Sequence, residues 1–137
     1  MPTLICGLDG VLLRGSRGAD GPTVDLQVVE VLTELRDRGW ELVAADDAEA
    51  GGGPGDQPGV LSLFERVVHA GDIGAARPDP RFFAELLRWL AGHGLRLYVD
   101  ADPRNVSAAR RAGLDAHLFT SAADLLAACR SAQLAAI

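Results

Sequence analysis

The chain has 137 residues, of which 48% are hydrophobic, and it carries a formal net charge of −6 at pH 7. The acidic surplus argues against a nucleic-acid partner and against an anionic membrane surface, because both are bound through Lys and Arg. No apolar run reaches the roughly 18 residues that cross a bilayer, and the N-terminus lacks the basic segment of a signal peptide. We therefore expect a cytoplasmic protein with a single domain over residues 1–137.

Short apolar runs alternate with amphipathic segments along the chain, and these two patterns predict strands and helices respectively. The predicted strands cover residues 3–8, 41–45, 66–69, 95–99 and 116–119. The first predicted helix has Thr23 as its N-cap and stops before Gly39, and the others cover residues 81–91, 105–112 and 122–132. Glycine-rich loops are predicted at residues 14–22 and 50–59, and a phosphate cradle in the second loop stays open as an alternative.

Repeated strand–helix units of this length predict an α/β fold with a doubly wound parallel sheet, in three α/β/α layers. In such sheets a site lies beyond the carboxyl ends of the strands. Several aspartates follow the predicted strands at this edge and together predict a shared acidic pocket, although each one alone equally suits a turn or a helix cap. They are Asp9, Asp46, Asp47, Asp72, Asp100 and Asp102.

Four segments, which together extend over nearly the whole chain, are informative as motifs. The first is LICGLDGVLL at residues 4–13 and the second is ELVAADDAE at residues 41–49. The third is GDIGAARPDPRFF at residues 71–83, and the fourth is LYVDADPRNVSAARRAGLDAHLF at residues 97–119. In this order they resemble the motifs of haloacid dehalogenase-like (HAD) hydrolases. Those motifs are an apolar strand running into Asp-x-Asp-Gly-Val-Leu, a strand ending in Ser/Thr-Asn, a segment that is usually Lys-Pro-Asp-Pro, and a fourth motif with its helix and following strand. The resemblance implies a Rossmann-like HAD core.

The resemblance also implies a chemistry, and the chain departs from it first at the nucleophile. In the family the first Asp of motif one attacks phosphorus, while a second Asp acts as acid and base and Mg²⁺ assists. This chain has Gly7 at the nucleophile position and keeps Asp9 at the acid/base position. Cys6 is the nearest nucleophilic side chain, but alternation along the strand points it to the opposite face. Loss of the covalent route is therefore predicted.

The positions that hold phosphate in the family are changed as well. Asp46 and Asp47 stand where Ser/Thr and Asn are usual, and Arg77 stands at the position of the Lys. A carboxylate beside a phosphate dianion is repulsive, so Asp46 would have to be protonated, bridged by a cation or paired. A pair between Asp46 and Arg77 explains both changes at once, and we predict it on that ground.

The fourth motif keeps only part of the family's acidic set. Asp100 is retained, Ala101 replaces the second acid, and Asp102 stands where Ser is usual. Magnesium bound through Asp100 and Asp102 would be held weakly, because oxygen ligands supplied by the family pattern are missing. We therefore expect no resident cofactor.

These departures favour a HAD-like domain that has lost phosphatase activity and acts as a binding, regulatory or assembly component. The alternative is a divergent Mg²⁺-dependent hydrolase in which Asp9 activates water, and a metal or small-molecule sensor that uses the acidic rim is a third possibility. The intervals between the motifs leave no room for a cap domain, so any pocket would be open. A protein partner or a homo-oligomer would then be expected to close it.

Overall fold

A computed structural model describes residues 2–14, 23–47, 62–90 and 94–135. The strands and helices in chain order are β1 (Thr3–Gly7), β2 (Leu13–Arg14), β3 (Thr23–Val24), α1 (Leu26–Asp37), β4 (Glu41–Asp46), β5 (Arg66–His69), α2 (Ala70–Ile73), α3 (Pro80–Trp89), β6 (Arg96–Asp100), α4 (Pro103–Arg111), β7 (Asp115–Leu118) and α5 (Ala122–Ala135). Among the helices that these residues form, none is long and apolar enough to span a bilayer.

Five strands form one parallel sheet in the order β5–β4–β1–β6–β7. The chain starts at the centre with β1, moves outward on one side through β4 and β5, and then crosses back to β6 and β7. This is the doubly wound order, and it confirms the α/β fold that the alternating segments predict. It also brings the carboxyl ends of β1, β4 and β6 together in the middle of one edge.

The sheet separates two apolar layers, because successive side chains of a strand point to opposite faces. Leu4 and Cys6 of β1 pack with α1 and α5 in one layer. Ile5 of β1 packs with α3 and α4 in the other layer, together with Phe82 and Phe83. Burial of each large apolar side chain contributes about 1.5–3 kcal/mol, so both layers hold their helices on the sheet. The three-layer prediction is confirmed.

The first helix begins later than its sequence pattern indicates. Thr23 is not its N-cap; it lies in β3 and pairs with Arg14 of β2 in a short antiparallel ladder. The N-cap is Asp25, whose carboxylate accepts hydrogen bonds from the backbone N–H groups of Gln27 and Val28. A carboxylate in this position satisfies amide groups that have no partner inside the helix.

Two further helices begin earlier than predicted, at Asp-Pro pairs. Asp79 caps α3 and Asp102 caps α4, and in both helices proline occupies the first position, where a missing N–H costs nothing. Two of the predicted features lie outside the described residues: the loop at 50–59 and nearly all of the loop at 14–22. The absence of a cap domain stays a prediction for the same reason, since residues 15–22 and 48–61 fall between the motifs.

Candidate functional site at the carboxyl edge of the sheet

The site is built on the last residues of three neighbouring strands, which are Gly7 of β1, Asp46 of β4 and Asp100 of β6. The Arg77 side chain reaches this edge from the loop between α2 and α3. Its guanidinium is buried, with 3% of the side chain exposed, and it stands 5.9 Å from the centre of the Phe82 ring. A buried guanidinium must find hydrogen-bond acceptors for its donors, and the strand ends supply them.

Arg77 uses two of its nitrogens to connect two strand ends. Its Nε donates to Oδ1 of Asp47 at 2.9 Å, just beyond β4. Its Nη1 donates to the hydroxyl of Tyr98 at 3.0 Å and to Oδ2 of Asp100 at 2.7 Å, both on β6. The guanidinium therefore ties β4 to β6 across the end of β1, which lies between them in the sheet.

The carboxylate of Asp100 is saturated by donors from the protein itself. Besides Arg77, its Oδ2 accepts hydrogen bonds from the hydroxyl of Tyr98 at 2.5 Å and from Nδ2 of Asn105 at 3.0 Å. Its Oδ1 accepts the backbone N–H of Asp102 at 2.9 Å. Only 3% of the side chain is exposed. Four donors thus satisfy this buried carboxylate from within the protein.

Gly7 is the residue that makes room for this network. A Cβ atom at position 7 would lie 2.7 Å from Nη1 of Arg77 and 2.7 Å from Oδ2 of Asp100. Both atoms belong to a buried ion pair, so neither can shift without loosening the other bonds that hold it. The space that a side chain of residue 7 would enter is thus filled by the guanidinium of Arg77.

Burial and neighbouring charges shift the pKa values of the groups in this network in opposite directions. Burial lowers the pKa of the Arg77 guanidinium, but the oxygens of Tyr98, Asp47 and Asp100 outweigh it and raise that pKa overall, so the group stays charged. Burial raises the pKa of the Tyr98 phenol well above its usual value. Tyr98 therefore keeps its proton and serves as a donor to Asp100.

The predicted pair between Asp46 and Arg77 is wrong, because the ion pairs of Arg77 are with Asp47 and Asp100. Alternation along β4 places Asp46 on the side of the sheet that faces α1 and α5, whereas Arg77 lies on the other side. Asp46 is opposite His69 in the strand register, and its Oδ2 lies 3.4 Å from Nδ1 of that residue. This separation is long for a hydrogen bond between the two side chains.

The other predicted aspartates are less closely joined to the network. Asp9 is exposed at the bend after β1, where it forms a bridge with Leu13. Asp102 turns its side chain to Arg104 at 2.9 Å and reaches the network only through its backbone N–H. Asp72 is exposed on α2. The structure therefore brings Gly7, Asp47, Arg77 and Asp100 into one cluster and leaves the remaining carboxylates around it.

Two members of the network were not predicted, and both carried a signal in the sequence. Tyr98 is two residues before Asp100, so strand alternation places both side chains on one face. Asn105 is in the first turn of α4, directly behind the end of β6. In the described part of the chain, no group of three or more His, Cys, Asp or Glu side chains is arranged to hold a metal ion.

Comparison with solved structures identifies the fold. A predicted HAD-like family hydrolase from Porphyromonas gingivalis is similar, with a TM-score of 0.71 and 14% identity over 96% of this chain and 97% of that one. An uncharacterized protein from Corynebacterium glutamicum has a TM-score of 0.69 and 20% identity, over 96% and 94% of the two chains. No protein-family model and no curated protein matches the sequence.

A third similar structure is that of an enzyme with its ligands. It is the wild-type form of a HAD family enzyme from Bacteroides thetaiotaomicron in complex with magnesium and inorganic phosphate, with a TM-score of 0.69 and 12% identity over 88% of this chain and 94% of that one. The topology and the position of the site define an α/β protein of the Rossmann-like class. Within that class, the chain has the haloacid dehalogenase-like fold.

Proposed function

We propose that this protein is a HAD-like domain without phosphatase activity, which serves as a binding, regulatory or assembly component. One observation carries the proposal. The guanidinium of Arg77 fills the space into which the side chain of residue 7 would extend, within 2.7 Å of a Cβ atom at that position. In the motif that this segment resembles, that side chain is the nucleophile.

Covalent catalysis needs a nucleophile placed to attack phosphorus, and Gly7 has no side chain to supply one. Cys6 does not replace it. The thiol is fully buried in the layer of α1 and α5, on the other side of the sheet, and burial raises its pKa to about 12. The reactive thiolate is therefore scarce at neutral pH.

The residues present do not fit a magnesium ion of the kind implied by the resemblance. Magnesium requires near-octahedral oxygen ligands, usually one or two carboxylates with water and phosphate oxygens. Asp100 already accepts four hydrogen bonds, and Nη1 of Arg77 lies 2.7 Å from its Oδ2, where a cation would have to approach. Gly7 offers no carboxylate. We therefore derive no catalytic step through a metal.

A phosphate group would also meet an unfavourable charge at this edge. Arg77 is paired with both Asp47 and Asp100, so its positive charge is more than balanced. Asp46, at the end of β4 on the other side of the sheet, adds a further buried carboxylate at this edge. Two unit charges of the same sign 4 Å apart repel by about 4 kcal/mol at an effective dielectric constant of 20. Without a bridging cation, this repulsion disfavours a phosphoryl substrate.

The second candidate function is a divergent hydrolase in which a carboxylate activates water. Its support is that Asp9 is exposed at the edge of the site and that 40% of the Asp47 side chain is exposed. Either carboxylate can therefore reach solvent, as a general base must. The phosphate-release assay has to distinguish this hydrolase from a domain without phosphatase activity.

The test is phosphate release from p-nitrophenyl phosphate and a panel of phosphomonoesters, with Mg²⁺ present. We compare the native protein with Asp9→Asn, Gly7→Asp and the double variant Gly7→Asp/Arg77→Lys, each checked for folding by circular dichroism. We expect the native protein and Gly7→Asp to be inactive, because a side chain at position 7 collides with the guanidinium. The double variant removes that collision, and any gain of activity is expected there. Turnover by the native protein would overturn the proposal, and its loss in Asp9→Asn would identify Asp9 as the base of the hydrolase.

A further inference from the structure

A groove of about 600 Å³ runs between the outer surfaces of α3 and α4. It exists because the facing positions carry small or rigid residues where longer side chains would fill the space. Its apolar lining comes from Ala84 and Leu87 of α3, from Ala108 of α4 and Ala112 at its C-cap, and from Pro78 and Pro80. None of the residues of the buried network lines the groove.

The groove continues along α4 and is elongated. A second cavity of about 410 Å³ shares Pro78, Ala108 and Arg111 with the first and extends to Pro103, Arg104 and Ser107. From Arg104 to Ala112 the helix rises by roughly 12 Å, at 1.5 Å per residue. Small-molecule sites enclose most of their ligand. An open groove of this length suits instead one face of a helix of about two turns or more.

The charged side chains that line the groove are all arginines, although the whole chain has a net charge of −6. Arg88, Arg104 and Arg111 line the two cavities, and no carboxylate does so within the described residues. Arg88 is balanced by Glu85 of α3 and Arg104 by Asp102, the N-cap of α4, although both pairs are exposed and weak. Arg111 forms no ion pair with any described residue. Its charge is available to a ligand.

We propose that this groove binds an amphipathic, acidic helical segment of a partner protein. Leucine-like side chains at positions i, i+3, i+4 and i+7 of that segment would pack on the alanines and prolines, and flanking Glu or Asp side chains would pair with the arginines. The charge of the lining argues for an acidic partner, and the length of the groove argues for a helix. This inference rests on the proposed function, because a protein that acts as a binding component needs a surface for its partner. The groove is that surface.

The test measures the binding of two synthetic helical peptides to the full chain by fluorescence anisotropy. Both have about fifteen residues, or roughly four turns, with leucines at the spacing given above; one has Glu at its flanking positions and the other has Lys. We expect the acidic peptide to bind at least about tenfold more tightly, a difference equal to about 1.4 kcal/mol. Its affinity should fall as salt is added.

Two variants and one control locate the binding site. Arg111→Glu reverses the charge and Ala84→Trp fills the groove from an exposed position, so each should weaken the acidic peptide about tenfold or more. Arg130→Glu is the matched control, because Arg130 is an exposed arginine on α5, in the opposite layer. It should leave binding unchanged.

Three outcomes would overturn the proposal. The first is equal affinity for the two peptides, or binding that neither groove variant weakens. The second is binding to phosphatidylcholine vesicles containing phosphatidylserine, lost in Arg111→Glu, with no binding of the peptide; the groove would then be a lipid site. The third is a dimer in sedimentation that Ala84→Trp dissociates, which would make a second copy the occupant. Phosphate release decides the proposed function separately, so peptide binding by an active enzyme would refute only the loss of catalysis.

Discussion

Arginine–aspartate pairs occur in two environments at the carboxyl edge of the sheet. Arg77 and Asp100 lie 2.7 Å apart with 3% of each side chain exposed. Arg104 and Asp102 lie 2.9 Å apart, only two residues further along β6 and its loop, with 77% and 34% exposed. The contact distances are nearly equal, yet the surroundings differ completely. If its partner is removed, a charge of the first pair stays buried without compensation, whereas a charge of the second pair is hydrated by solvent.

The largest expected effect comes from breaking the buried pair on one side. Arg77→Met leaves Asp100 as a buried carboxylate without its cation, and it should lower the free energy of unfolding by about 3–5 kcal/mol. Arg104→Met is the matched control and should cost far less, because both charges of this exposed pair are hydrated. Urea denaturation followed by circular dichroism measures both. Similar losses in the two variants would show that burial does not separate the two pairs.

The second effect tests whether the space at Gly7 belongs to the buried pair. Gly7→Ala places a methyl group against Nη1 of Arg77 and Oδ2 of Asp100, and overpacking of this kind costs about 1–3 kcal/mol. In an Arg77→Met background, one of the two colliding atoms is gone, so the same substitution should cost less. A double-mutant cycle in urea gives the coupling free energy. Additive effects would mean that the guanidinium does not occupy this space.

The smallest effect concerns the exposed pair and its dependence on pH. The hydrogen bond from Arg104 holds the pKa of Asp102 below its ordinary value of 3.8. A carboxyl whose pKa is lower in the folded state contributes stability above its unfolded pKa, and this contribution disappears as the pH falls through the folded value. The small difference in melting temperature between the native protein and Arg104→Met should therefore shrink as the pH falls below 3.8 and vanish once Asp102 is protonated in the folded state. If the difference in melting temperature persists or grows in acid, it comes from packing of the Arg104 side chain and not from the ion pair with Asp102.

The sequence predicts the layers of this protein and the edge where its site lies, because both depend on local patterns. The positions of Gly7, Asp47, Arg77 and Asp100 follow from strand ends and motif spacing. The ion-pair partners of Arg77 do not follow from the sequence, because they depend on the side of the sheet from which the loop carrying Arg77 approaches. Alternation along β4 could nevertheless have excluded Asp46, just as alternation along β1 places Cys6 away from position 7.

Other features depend on competition between local and long-range contacts. The pattern from Thr23 onward suits a helix, but pairing with Arg14 draws Thr23 into a strand and leaves capping to Asp25. Tyr98 and Asn105 look like ordinary strand and helix residues in the sequence. Only the fold shows that both bond to Oδ2 of Asp100. A network of this kind is formed by residues far apart in the chain, so no single segment specifies it.

The fit between Gly7 and Arg77 has a consequence for the substitutions that the two positions tolerate. An aspartate at position 7 alone meets the guanidinium, because its Cβ atom would lie 2.7 Å from Nη1 of Arg77. A side chain at position 7 is therefore expected only together with a different residue at position 77. Among descendants and relatives of this sequence, the glycine and the arginine are expected to persist or disappear together.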